Sequence, residues 1–295
     1  MRVSGQCAAM AVAVAVFAPY AGTTVGQTSA PPGKPDAAAV LAAARQALGG
    51  DKKLSAVKTL TATGRTRQVR GDNLVPIEFE IFIELPDKYV RKDEVPAQES
   101  GPTASGFNGD ELLQDPPPPA PPAPPPGGAP RPNMTAARVT TLKQDFTRLA
   151  LGMFATSFPS YPLTFSYFAE AEAPQGKADV LEGKGPNNFA VRLFISRETH
   201  LPLMVTWTAP APPQRGRGPM VMPPGATPPP TPPPPAAPAA AAENHLYFAD
   251  YRDVDGLQLP FRLRRALGAD TVEETTFDRF KVNARIDPKR FEVRK

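Results

Sequence analysis

Apolar and polar residues alternate along much of this chain, most sharply in two stretches. From Pro76 to Val90, Ile77, Phe79, Ile81, Ile83 and Leu85 share one parity and Glu78, Glu80 and Glu84 the other, with Phe82 the exception. A period of two is that of a strand with one buried face. Pro86-Asp87 turns the chain, and Lys88–Val95 returns as the antiparallel partner. In the second stretch, Tyr247–Leu263, Leu257, Leu259, Phe261 and Leu263 alternate with Gln258, Pro260 and Arg262 after a turn at Asp255-Gly256. A two-residue loop there sets Arg252 against Leu259 and Asp250 against Phe261, placing charges on the apolar face. A three-residue loop, Val254-Asp255-Gly256, sets Tyr251 against Leu259 and Tyr247 against Leu263. The demand for one coherent face predicts the three-residue loop, with Gly256 left-handed and a bulge beside it.

Two segments carry the helical period instead. Asp36 caps Ala37–Leu48, where Val40, Leu41, Ala44 and Leu48 form a stripe that Gly49-Gly50 ends. Ala136–Phe154 places Val139, Leu142, Phe146, Leu149 and Met153 on one face, with Lys143, Gln144, Asp145 and Arg148 off it. Further strands are predicted at Leu54–Val69, at Gly106–Leu113 around an Asn108-Gly109 turn, at Leu163–Tyr167 and at Ala178–Lys184. Phe189–Ile195, Leu203–Trp207 and Thr271–Asn283 follow, and Asp287-Pro288 opens a tail ending in Phe291. The tally is about nine to eleven strands joined mostly by short turns, which implies an antiparallel meander. Such a sheet, with one apolar face and two helices to cover it, curls around them. The expected fold is α+β: a curved antiparallel half-barrel with two helices on its concave face.

Composition changes the picture in two places. Of 40 prolines, eleven fall in Asp115–Pro132 and fourteen in Ala209–Pro238, where neither a helix nor a sheet ladder can form. Both read as insertions within one domain spanning 27–295, since the chain on either side of each has too few strands to stand alone. Residues 1–26 read as a cleaved signal peptide: Arg2 is its one charge, Ala8–Ala18 is apolar, and Thr24-Val25-Gly26 offers a small-residue exit. A membrane anchor or a disordered tail are the other readings of that segment. The single cysteine, Cys7, lies inside it, so the mature chain is expected to lack thiol chemistry and disulfides. No later segment reaches the ~18 apolar residues of a transmembrane helix. The net charge of +4 is scattered through the strand patterns, which argues against nucleic acid and for peripheral membrane contact at most.

Sought-for chemistry does not assemble. His200 and His245 stand far apart, in no metal-ligand spacing, and there is no nucleophile elbow, phosphate loop or dinucleotide fingerprint. Asp253-Val254-Asp255-Gly256 opens like a calcium loop, but its glycine comes too early and no distal glutamate follows. Glu78, Glu80, Glu273 and Glu274 lie on alternating strands, where solvent-facing carboxylates are ordinary. The Arg215 and Arg217 tract lies within a proline-rich loop and reads as a solubilising linker. No catalytic residue, metal or cofactor is expected.

The order of elements resembles the outer-membrane lipoprotein carrier and sorting family, with its LolA/LolB-like fold. The markers are Leu48-Gly49-Gly50, Leu181-Glu182-Gly183 leading into Arg192–Ile195, Thr199–Pro202, Tyr251–Pro260, and Val282-Asn283 through Asp287-Pro288 to Phe291. The resemblance implies a concave apolar surface able to hold acyl chains; the markers themselves are turns, bulges and edge prolines. The apolar ligand cavity would then be built from Phe79, Ile81, Ile83, Leu142, Phe146, Leu149, Met153, Phe165 and Leu193. The Val139–Met153 stripe fits both a floor for an apolar ligand and ordinary core. The function expected is that of a periplasmic, non-enzymatic carrier of lipid or lipidated protein. The alternative is an envelope interaction module that captures a protein partner through its proline tracts.

Overall fold

The computed structural model describes residues 35–71, 73–96, 98, 101–118, 134–173, 176–208 and 243–292. The expected signal peptide, the first proline-rich insertion beyond residue 118 and the whole of the second lie outside the described residues.

The first helix, α1 (Ala37–Ala47), starts where Asp36 accepts the Ala38 amide at 3.2 Å and buries Leu41 and Ala44. A second helix, α2 (Asp51–Ala56), occupies the start of the stretch predicted as strand from Leu54. Asp51, Lys52 and Lys53 give that stretch no apolar alternation, and Asp51 in the first turn suits the helix dipole while binding Arg45 at 2.6 Å. The strand begins only at Thr59.

Chain order continues with β1 (Thr59–Arg70), β2 (Asn73–Glu84), β3 (Lys88–Glu94), β4 (Thr103–Asn108) and β5 (Glu111–Asp115), then helix α3 (Met134–Phe154). After α3 come β6 (Thr164–Ala173), β7 (Gly176–Gly185), β8 (Phe189–Ser196), β9 (Pro202–Thr208), β10 (Glu243–Val254), β11 (Leu257–Leu267) and β12 (Asp270–Val282). All join one antiparallel 12-stranded sheet in the order β5-β4-β3-β2-β1-β12-β11-β10-β9-β8-β7-β6. The strand expected at Gly106–Leu113 is a hairpin, β4 and β5, because the turn falls between Asn108 and Glu111 inside it. The fold is the expected curved α+β half-barrel, with one more strand and one more α-helix than the sequence pattern suggests.

Topology explains the curvature. Two meanders run from opposite edges and meet where β1 pairs with β12, from Leu60 opposite Val282 to Gln68 opposite Glu273. Helix α3 links β5 at one edge to β6 at the other. Twelve strands laid flat would be about 53 Å wide, whereas a 21-residue helix is about 32 Å long. The sheet therefore wraps the helix, and α3 touches β4 and β5 as well as β8, β9 and β11. Every residue from Phe146 to Phe154 is buried, so the second half of α3 packs into the core. Gly152 lets it approach β10: a Cβ there would collide with the Phe248 ring.

The turn between β10 and β11 corrects the sequence-based expectation. It is a two-residue loop, with Val254 opposite Leu257, Arg252 opposite Leu259 and Tyr251 opposite Pro260. Asp255 and Gly256 have φ of 56° and 80°, the paired left-handed conformations of a type I′ turn, whose twist matches the flanking strands. The charges that disfavoured this register are accommodated locally. Asp250 leaves the regular ladder opposite Phe261 with φ of 56°. Arg252 donates to it at 3.0 Å and lies 4.6 Å from the Phe261 ring centroid. The hairpin tip is then pinned to the helical corner: Gln258 donates to the Leu48 carbonyl at 3.0 Å, and Lys53 to that of Gly256 at 3.3 Å.

Phe82, the exception in the first alternating stretch, belongs to a second small core. Val90, Leu113 and Phe291 are buried there, with Phe82, Ala104 and Ile286 against them. The C-terminal 3-10 turn Pro288–Phe291, capped by Asp287, covers that cluster.

Candidate functional site

Two clefts flank α3, and four side chains form the wall between them. The larger, about 630 Å³, opens between α3 and the β8–β9 side, with Gln144, Phe189, Val191 and Thr206 among its lining residues. The other, about 400 Å³, opens toward β1–β3 and β10–β12 and has an apolar floor of Ile77, Ile81, Leu142, Leu149, Leu263 and Phe277. Asp145 and Arg148 of α3, Trp207 of β9 and Arg265 of β11 line both.

The sequence-predicted cavity residues separate into groups. Ile81, Leu142 and Leu149 line the 400 Å³ cleft. Ile83, Met153 and Leu193 are fully buried in the main core. Phe146 joins an aromatic cluster with Tyr89, Phe107 and Phe158, at centroid distances of 5.2, 5.8 and 6.0 Å. Phe79 packs edge-on against Phe277 at 5.4 Å, with the Arg91 guanidinium 4.6 Å from its ring centroid. Phe165, on edge strand β6, is half-buried against the main core.

Polar groups above the apolar floor form two systems. In the first, Arg91 donates to Asp93 at 2.7 Å and to the Thr66 hydroxyl at 3.0 Å. Thr66 meets Thr275 at 2.9 Å, and Thr275 donates to Glu273 at 3.3 Å. Burial pulls the Arg91 pKa down, but Asp93 and Tyr89 together carry it above its ordinary value. The second system centres on Arg148, which is 8% exposed. One terminal nitrogen donates to Asp145 at 2.8 Å, while its buried Nε has no partner among the described residues. Its guanidinium carbon lies 4.9 Å from the Phe189 ring centroid and 4.3 Å from that of Trp207. Burial lowers the Arg148 pKa, Asp145 opposes that, and neighbouring Arg265 adds to it.

Sequence reasoning missed Arg148, Trp207 and Arg265 as a group. Arg148 lies off the apolar stripe of α3, which ordinarily means solvent, and only the sheet's closure around the helix buries it. Trp207 and Arg265 sit on strands whose adjacency to α3 no local pattern encodes. Of the histidines, His200 is exposed in a turn with φ of 58°, and His245 has its Nε2 3.4 Å from Glu243. Among the described residues, no group of three His, Cys, Asp or Glu side chains could hold a metal, and no helix is long and apolar enough to cross a membrane.

Compared by sequence, the chain matches no protein-family model and no curated protein. Compared by structure, it is similar to a LolA superfamily protein from Nitrosomonas europaea, at 12% identity and a TM-score of 0.51, over 88% of this chain and 98% of that one. A DUF1329 family protein from Desulfovibrio piger aligns at 9% identity and a TM-score of 0.45, over 86% and 96% of the two chains. A putative outer membrane lipoprotein-sorting protein domain from Vibrio parahaemolyticus aligns at 8% and 0.46, over 85% and 95%. At 12% identity the likeness to the Nitrosomonas europaea protein is one of fold.

Proposed function

We propose that the protein is an exported, non-enzymatic carrier that holds an acyl chain of a lipid or lipidated protein between α3 and the concave face of its sheet. The observation that carries this reading is the 400 Å³ cleft, with its floor of Ile77, Ile81, Leu142, Leu149, Leu263 and Phe277 beside α3. Each methylene of an acyl chain buried there is worth about 0.8 kcal/mol. Ten such groups reach micromolar affinity without any specific polar contact. A cleft rather than a sealed cavity suits a carrier, because cargo must leave as well as enter. The periplasm is the compartment proposed, on the leader-like pattern of residues 1–26.

Native mass spectrometry on protein purified gently from the periplasm, followed by organic extraction, tests this directly. A stoichiometric acyl species is the expected result and names the cargo. A bare mass that stays bare after incubation with envelope lipids overturns the reading.

A further inference from the structure

The wall between the clefts holds two cations, Arg148 and Arg265, and one carboxylate, Asp145. Arg148 is buried and bonds Asp145, which is itself half-exposed, and its Nε remains an unsatisfied donor. Arg265 is exposed, lies 5.7 Å from the same Trp207 ring, and makes no ion pair among the described residues. Of the other carboxylates of the two clefts, Glu182 pairs with Lys184 at 2.8 Å, Glu243 lies 3.4 Å from His245, and Glu273, opposite Arg265 in the β11–β12 register, accepts from Thr275 at 3.3 Å. Arg91, half-buried in the wall of the smaller cleft, has both a carboxylate and a hydroxyl to donate to. Arg148 is the guanidinium whose hydrogen bonding is incomplete, and a buried donor without a partner is costly.

We propose that Arg148, assisted by Arg265, binds the anionic head group of the cargo, a carboxylate or phosphate ester, while its tail runs along the cleft floor from Leu149 and Leu142 to Ile81 and Phe277. This rests on the carrier reading and adds a chemical class to it: a negatively charged amphiphile in preference to a neutral one. A guanidinium suits the role because its planar fork of donors matches two oxygens of either anion. The Phe189 and Trp207 rings hold that fork between them. An oxygen of such an anion supplies the acceptor that the Arg148 Nε lacks.

Trp207 is the only tryptophan, so its fluorescence reports on this wall. The full chain is titrated with dodecanoate, dodecyl phosphate and dodecan-1-ol below their micelle concentrations, and with acetate and inorganic phosphate as tail-less anions. The two anionic amphiphiles are expected to bind about tenfold or more tightly than the alcohol, and the tail-less anions far more weakly than either. R148M is expected to bring the ratio close to one. R265Q, at an exposed strand position, lowers the ratio several-fold even if R148M does not fold. Equal binding of dodecanoate and dodecanol to the native chain overturns this inference and leaves the carrier reading standing, as does a preference that survives R148M. Acetate or phosphate binding as tightly as the tailed anions also overturns it, since the site then takes a free anion. Failure of all three amphiphiles to bind overturns both.

Discussion

Tyr89 lines the smaller cleft and is buried against Phe107 and Phe146. Burial pushes its phenol up to about 12, with Arg91 pulling the other way. An unfolded tyrosine ionises near 10, so between about pH 10 and 12 the unfolded chain has lost a proton that the native chain retains. The contribution is present below pH 10 and is lost as pH rises through about 12. Denaturant unfolding of the Y89F variant is expected to lose less stability than the parent across that window, by up to about 1.4 kcal/mol per pH unit. A parallel decline in both proteins would show that Tyr89 ionises freely in the folded state. Gly152 is the second residue whose identity follows from packing. Because a Cβ there meets the Phe248 ring, Gly152→Ala is expected to cost about 1–3 kcal/mol although alanine favours helices. Unchanged or raised stability in urea would mean that α3 can retreat from β10. At this scale the sequence shows which residues are apolar, and Ile81, Leu142 and Leu149 do reach the cleft. It does not show that Arg148 is interior, because burial there comes from strands that the periodicity of one helix cannot register.

The C-terminal turn shows how elements settle what single stretches leave ambiguous. Phe82 breaks its strand's alternation, and the reason lies at Phe291: Arg290 stacks 4.8 Å from the Phe82 ring centroid, and Asn108 donates to the Phe291 carbonyl at 3.2 Å. F291A is expected to destabilise the chain by about 2–4 kcal/mol while leaving amphiphile binding at Trp207 intact, because the cluster is separate from the main core. Loss of binding in a variant that remains folded would show that this cluster and the cleft are coupled. Edge strand β6 carries a similar local device. Its register shifts between Tyr167 and Ala169, and Phe168, 46% exposed, is covered by Arg192 at 4.2 Å. Such irregularities discourage edge-to-edge association. Alternation makes most strands legible, although it merges β4 and β5 into one stretch. Turn type is less so: the β10–β11 loop is decided by an Arg252–Asp250 pair and a left-handed aspartate, each of which relieves a conflict that the face-matching rule treats as prohibitive.

For the whole molecule, the arrangement of two meanders closed by β1 and β12 separates what builds the sheet from what interrupts it. Thr208, the last residue of β9, and Glu243, the first of β10, are direct register partners, and opposed antiparallel residues lie only about 5 Å apart. Residues 209–242 therefore connect two positions that already face each other, and no strand pairing depends on their length. Replacing them with Asn-Gly, the two-residue connection that suits right-twisted strands, is expected to leave the cooperative thermal transition within a few degrees of the parent. The same variant divides the two functional readings that the sequence supports. A carrier working through the cleft keeps its acyl species in native mass spectrometry and its Trp207 response to dodecanoate. An interaction module working through the proline tract keeps its fold and loses capture of its envelope partner. Retained ligand with unaltered envelope localisation assigns the activity to the sheet and α3. Retained fold with no ligand in either protein, and lost localisation only in the variant, assigns it to the insertion instead.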